Sequence, residues 1–180
     1  MQSETSKCRE RLRRFCLGDG LDIGYGGDPV VPSAITIDLP EGPYCRLDNS
    51  RPQNLHGDCS NLHWFKDGVF DYVYSSHLLE DFSAEEIPKI LLEWLRVLKI
   101  GGYLILYCPD EQAYRDNCKR NNSVSNEHHK NEKFGLNFLL DIYRKKIPML
   151  CEVVHSLELI DIYSFELVLK KVTDEAWLWR

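Results

Sequence analysis

Four short segments carry residues whose types and spacing could do chemistry. They are Asp22, Gly24, Tyr25, Gly26 and Asp28 in the stretch GLDIGYGGDPVVPSAITIDLP, Asp38 and Leu39 at its end, Asp58 and Cys59 in GDCSN, and Ser75 to His77 ahead of LLEDF. Glycines let a backbone approach a ligand closely, and carboxylates accept from hydroxyls and amines, so the set describes a nucleotide-like site. A dinucleotide would need amides at a helix N-terminus, a third glycine and no fixed negative charge beside its phosphates. Here Gly24-x-Gly26-x-x runs into Pro29 directly after Asp28. The link from Gly26 to the next strand at Ala34 leaves room for about one helical turn, where a dinucleotide fold uses several. A ligand with an adenosyl group, no phosphate and a cationic amino-acid end suits this turn better, because nearby carboxylates then attract it.

The elements that must position these residues follow from hydropathy. A chain of 180 residues with 43% apolar content can form one compact domain and hardly two, so residues 1–180 are read as a single domain. GLDIG reads as a first buried strand, AITIDL (34–39) as a second, PQNLHGD as a weak third, VFDYVYSS (69–76) as a fourth and YLILYC (103–108) as a fifth. Residues 4 to 17 suit a short basic helix. Ile87, Ile90, Leu91, Trp94, Leu95 and Leu98 recur at helical spacing behind a Ser83/Glu86 capping pattern, and Gly101-Gly102 is expected to end that helix. A polar stretch from 109 to 132 precedes a helix near 133–146. EVVHSLELIDIYSFELVLKKV reads as an antiparallel hairpin turning at 161–163. Alternating strands and helices give an α/β domain with a mainly parallel sheet, whose ligand lies beyond the carboxyl ends of the strands. That brings Asp22 to Asp28, Asp38, Asp58 and Ser75 to His77 to one edge.

Net charge is −6, which argues against a general electrostatic grip on nucleic acid. Seven cysteines, an odd number scattered singly, suit a reducing compartment and no metal site. No apolar run approaches the roughly 20 residues of a membrane span. The expectation is a cytoplasmic protein without membrane association.

The stretches LDIGYGGDPVVPSAITIDL, GDCSNLHWFKDGVFDYVYSSHLLEDF and LLEWLRVLKIGGYLILYCPD, in this order, resemble the class I S-adenosylmethionine-dependent methyltransferases. Among these the resemblance is to compact types often associated with surface-glycan gene sets, and it spans Gly20 to Asp110. It implies a Rossmann-like fold with a mainly parallel seven-stranded sheet, an antiparallel C-terminal hairpin and helices on both faces. It also implies S-adenosylmethionine as cofactor. Asp22, Gly24 and Gly26 would surround its methionine part, with Tyr25 where a small residue is common. Asp38, followed by Leu39, would accept both ribose hydroxyls. Asp58 and the backbone of Cys59 would meet the adenine edge, and Ser75 would end the strand where the reactive methyl points. Asp81 departs from the family, whose members often have histidine there.

Structural alternatives accompany each assignment. Asp38 could cap the following turn, Asp58 could form an Asx-turn, and His77 could be a packed histidine. His128 and His129 could belong to a solvated loop. Methyl transfer needs alignment and exclusion of water more than a nucleophilic side chain. If the acceptor is a hydroxyl, His77 is the first candidate base, with His128 or His129 second. Between Arg115 and Lys146 stand eight basic residues against four acidic, so the covering segment at about 111–147 suggests an acidic or phosphorylated sugar as a small-molecule acceptor. A solvated polar lid is the simpler reading of the same charges. Trp177 and Trp179 are read as sealing a surface groove or a dimer contact, and a homodimer or protein partner is expected on that basis. The competing reading of the whole chain is a catalytically idle S-adenosylmethionine-binding partner module.

Overall fold

The computed structural model describes residues 3–40 and 53–174; Cys45, Trp177 and Trp179 lie outside them. Within them stand helices α1 (Glu4–Leu12), α2 (Ile87–Val97), α3 (Glu111–Arg120) and α4 (Leu136–Lys146). The strands are β1 (Gly20–Ile23), β2 (Ile35–Asp38), β3 (Leu55–His56), β4 (Phe70–Ser76), β5 (Leu98–Pro109), β6 (Cys151–Ile160) and β7 (Ser164–Lys171). They form one sheet in the order β3-β2-β1-β4-β5-β7-β6. β1 to β5 are parallel, and β7 runs antiparallel between β5 and β6. This is the Rossmann-like α/β fold that the sequence predicts. The chain order reverses between β1 and β4, which opens a crevice at their carboxyl ends.

Burial explains the strand sequences. Every residue of β1 is buried, as a strand covered on both faces requires. On one face α2 delivers Ile87, Ile90, Leu91, Trp94 and Leu95 to a core with Leu21, Ile23, Val73, Leu104 and Leu106. On the other, Cys8 and Leu12 of α1 pack on Tyr72, Tyr74, Ile105 and Tyr107. Successive side chains along β4 and β5 thus serve opposite cores, and those two apart share one.

Two elements differ from the sequence reading, and a third is half formed. Gly101 and Gly102 do not end α2, which stops at Val97; they lie inside β5, which begins at Leu98. A Cβ on Gly102 would come within 2.9 Å of the Asp71 carbonyl oxygen, so the strand needs glycine for close approach to β4. The polar stretch after β5 contains α3, capped by Asp110 accepting from the Ala113 N–H. Its polar composition hid a helix with one buried face. The Ser83/Glu86 pattern is half formed: Glu86 accepts from the Ser83 N–H at 2.8 Å, but helix α2 starts at Ile87 with Pro88 in its first turn.

Trp94 is wholly buried and donates to the Cys59 carbonyl at 2.8 Å, tying α2 to the loop after β3. Trp94→Ala is expected to lower the unfolding free energy by about 3–5 kcal/mol in urea titration, through lost burial and the residual cavity.

Candidate functional site

The parallel strands bring β1, β2, β3 and β4 to a common edge, and the predicted residues assemble there. The turn after β1 places Gly24 at φ +66° and Gly26 at φ +59°. A Cβ on Gly24 would also meet Leu78 at 2.7 Å, whereas one on Gly26 would meet nothing within 4 Å. The first glycine is therefore needed for packing and conformation, and the second borders open space. Gly24 donates to the Ile37 carbonyl at 2.8 Å, and the Gly26 N–H reaches an Asp38 carboxylate oxygen at 3.2 Å. The other Asp38 oxygen accepts from Leu39 N–H at 2.8 Å. Asp38 thus fastens the turn to the end of β2, with Leu39 exposed beside it.

Asp22 is fully buried. One oxygen accepts from Val30 N–H at 2.6 Å, and Oδ1 has no hydrogen-bond partner. Burial pushes its carboxyl up to about 8, and the nearby Asp28 and Asp38 charges act in the same direction. Asp28 itself is not the free negative charge that the sequence suggests. Arg9 of α1 pairs with it at 2.5 Å and also donates to the Pro29 carbonyl, and Ser3 donates to its other oxygen. Asp28 anchors α1 to the glycine turn, so its charge no longer argues against a phosphate; the missing third glycine and missing helix still do. Tyr25 is buried in the turn.

Asp58 forms the Asx-turn: its Oδ1 accepts from Ser60 N–H at 2.8 Å. It also lines a cavity of about 310 Å³ with Ser60, Phe82, Glu86, Lys89 and Ile90. The Cys59 carbonyl is occupied by Trp94. Ser75 donates its hydroxyl to the Ile23 carbonyl at 3.0 Å, so it braces β4 against β1.

At the end of β4 the backbone of His77 takes φ +52°, a conformation uncommon for a residue with a side chain. Its N–H donates to the Tyr107 carbonyl at 2.9 Å. The ring stands near Tyr107 and Tyr163, with Nε2 3.4 Å from Glu4 and 3.3 Å from the Ser164 hydroxyl, and Nδ1 3.6 Å from Glu80. Burial lowers its pKa to about 4, so it is neutral at physiological pH. His129 does not sit in a solvated loop: its side chain is 5% exposed. Nδ1 lies 2.6 Å from Glu111 and Nε2 4.0 Å from Glu80. His128 is exposed, in a turn, and its charge acts on Asp81. Among the described residues no group of three histidine, cysteine or acidic side chains has the geometry to hold a metal.

Glu80 and Glu111, both buried, were missed in the sequence. Glu80 is the charge inside HLLEDF, and an acidic residue in an apolar run was the available signal.

Residues 21–106 match the family model described as a methyltransferase domain. No curated protein matches the chain. A S-adenosylmethionine-dependent methyltransferase from Thermotoga maritima shares 25% identity over 90% of this chain and 94% of its own, with TM-score 0.60. A Burkholderia thailandensis N1-methyltransferase with bound S-adenosylhomocysteine gives TM-score 0.67 at 13% identity, covering 96% of this chain and 80% of that one. A complex of a methyltransferase with a methyltransferase activator from Haloferax volcanii gives TM-score 0.65 at 14% identity, covering 93% and 89%. Residues 21–106 thus match the methyltransferase domain family, and the described chain shares the Rossmann-like fold of S-adenosylmethionine-dependent methyltransferases. The residues present fit the cofactor: open space above Gly26, an unpartnered buried oxygen on Asp22 and the Asp58 cavity lie along one edge.

The raised Asp22 carboxyl gives a pH-dependent prediction. A group whose folded pKa lies above its unfolded value costs stability increasingly as pH rises from the unfolded toward the folded value. Asp22→Asn removes that cost and can keep the Val30 bond. Its melting temperature without ligand should therefore exceed that of the unsubstituted protein by more at pH 8 than at pH 5, read by thermal unfolding at both.

Proposed function

We propose that the chain transfers the methyl group of S-adenosylmethionine to a small molecule bound at the end of β4, under the segment from 111 to 147, and that residues 1–180 act as one domain. The observation that carries this reading is the convergence of the Gly24–Gly26 turn, the Asp38 carboxylate and the Asp58 cavity on one sheet edge. Asp38 would hold the ribose, for which its two acceptor oxygens suit vicinal hydroxyls. Asp58, Ser60, Phe82 and Ile90 would border the adenine, and Asp22 with Gly24, Tyr25 and Gly26 the methionine part. The Cys59 backbone and Leu39 would complete the pocket walls. When bound, the cofactor supplies an electrophilic methyl on a sulfonium.

The protein's own part is alignment and proton handling. For a hydroxyl acceptor, neutral His77 is the proposed base, and His129, fixed by Glu111, stands behind Glu80. His128 supports this role less, being exposed. Support for an acidic or phosphorylated sugar weakens with the geometry. Seven of the eight basic residues between 115 and 146 are exposed, and Arg115 is committed to Glu111 at 2.6 Å. The Haloferax complex supports a protein partner for this chain as well, and edge strand β6 exposes Val154, Leu157 and Leu159.

Calorimetry with S-adenosylmethionine and S-adenosylhomocysteine tests the cofactor assignment. Both should bind, and Asp38→Ala should weaken each by about tenfold to a hundredfold, the equivalent of one to two charge-assisted hydrogen bonds. Equal affinity in the variant would remove Asp38 from the site.

A further inference from the structure

Four carboxylates, from Glu4, Glu80, Asp81 and Glu111, surround His77 and His129 at the end of β4. Two of them are compensated: Lys7 binds Glu4 at 2.7 Å, and Arg115 binds Glu111 at 2.6 Å. Lys130 extends to Glu86 at 3.6 Å. No cationic side chain is paired with Glu80 among the described residues, and Glu80 is 2% exposed.

A second observation points to a ligand at this place. Five buried polar side-chain atoms among the described residues have no hydrogen-bond partner, and three of them, Ser76 Oγ, Glu80 Oε2 and Asp81 Oδ1, fall within six consecutive residues. Buried polar atoms are normally satisfied, so such a concentration marks a place completed by something else. Ionised carboxylates only accept, and an ammonium only donates, so an amine supplies what these atoms lack.

Resting on the methyltransferase reading, we infer that the methyl acceptor is a small amine, and that Glu80 receives its nitrogen between His77 and His129, with Ser76 and Asp81 beside it. Burial holds the Glu80 carboxyl well above the usual range, and the charges of Asp81, Glu111 and Glu4 act in the same direction. Arrival of an ammonium displaces that proton to solvent and leaves a carboxylate facing a cation. The ammonium then gives one proton to Glu80. The freed nitrogen lone pair forms the new N–C bond while the methyl's bond to the sulfonium sulfur breaks, its electron pair staying on sulfur as the thioether. Glu80 keeps that proton when the methylated ammonium departs, which restores its resting state, so the one proton released per turnover is the one displaced to solvent on binding. The covering segment excludes water during this exchange: Lys130 N–H donates to the Glu80 carbonyl at 2.9 Å and Asn131 to the Phe82 carbonyl at 2.6 Å. Phe82 also borders the cavity beside Asp58, so the adenine and acceptor sides meet at one loop.

The test uses S-adenosylmethionine labelled in its methyl group and a size-graded set of primary and secondary amines. Each amine is matched with the alcohol and the carboxylic acid of the same carbon skeleton. Label should pass to amines and to neither counterpart. Glu80→Gln, a neutral isostere, should keep S-adenosylhomocysteine affinity and melting temperature within experimental error. It should lower kcat/KM for the methylated amines at least tenfold. Calorimetry of those amines on protein saturated with S-adenosylhomocysteine should show at least a tenfold weaker affinity in the variant. Label on alcohols or acids, or unchanged amine affinity in Glu80→Gln, overturns the inference. So does retained cofactor binding with no amine in the set methylated, which leaves the cofactor assignment standing. Absence of cofactor binding would instead overturn the methyltransferase reading of the site.

Discussion

A carboxylate taken out of water must be paired, given donors or protonated, and this constraint shapes the molecule. Among the described residues four carboxylate side chains are almost wholly buried: Asp22, Glu80, Glu111 and Glu166. Glu166 is held by Arg11 at 2.6 Å and His155 at 2.8 Å, and Glu111 by Arg115 and His129, each at 2.6 Å. Those two are structural fasteners. Asp22, in β1, keeps one oxygen unpartnered, and Glu80, in the turn that follows β4, does the same. The fold satisfies its buried charge where it needs rigidity and leaves it unsatisfied where a ligand can complete it.

The same division explains how α1 contributes. It is a short helix of polar composition, yet its Arg9 neutralises Asp28 in the glycine turn, its Glu4 reaches His77 and Tyr163, and its Arg11 reaches the C-terminal hairpin. One helix therefore braces three parts of the site edge. The turn tolerates Asp28 because its charge is answered from outside the turn.

The strands were legible because burial on both faces leaves continuous apolar runs, as in YLILYC, and because β-branched residues mark AITIDL. Helix α2 was legible from its apolar spacing. Helix α3 was not, since a helix needing only a narrow buried face keeps a polar sequence, EQAYRDNCKR. The glycine turn, Asp38 and Asp58 could be placed at one edge by strand order alone. Glu80 and Glu111 could not be valued in advance, because whether an acidic residue lies under a covering segment depends on contacts such as that of Glu80 with His129, 49 positions along the chain. His129 was misread for the same reason: NEHHKNEKF is polar in sequence, and only its contact with Glu111 takes it inside.

The pairing of α1 with the hairpin also orders assembly. Arg11 meets Glu166 across 155 positions, and Glu4 meets Tyr163 across 159. Such contacts carry a large loop-closure cost and form late. On a ribosome the glycine turn emerges early, but the helix that braces it has no hairpin to dock on until the final strand has been synthesised. The site edge is thus among the last parts of the molecule to become rigid, and a chain shortened at its C-terminus would lose the brace at its opposite end.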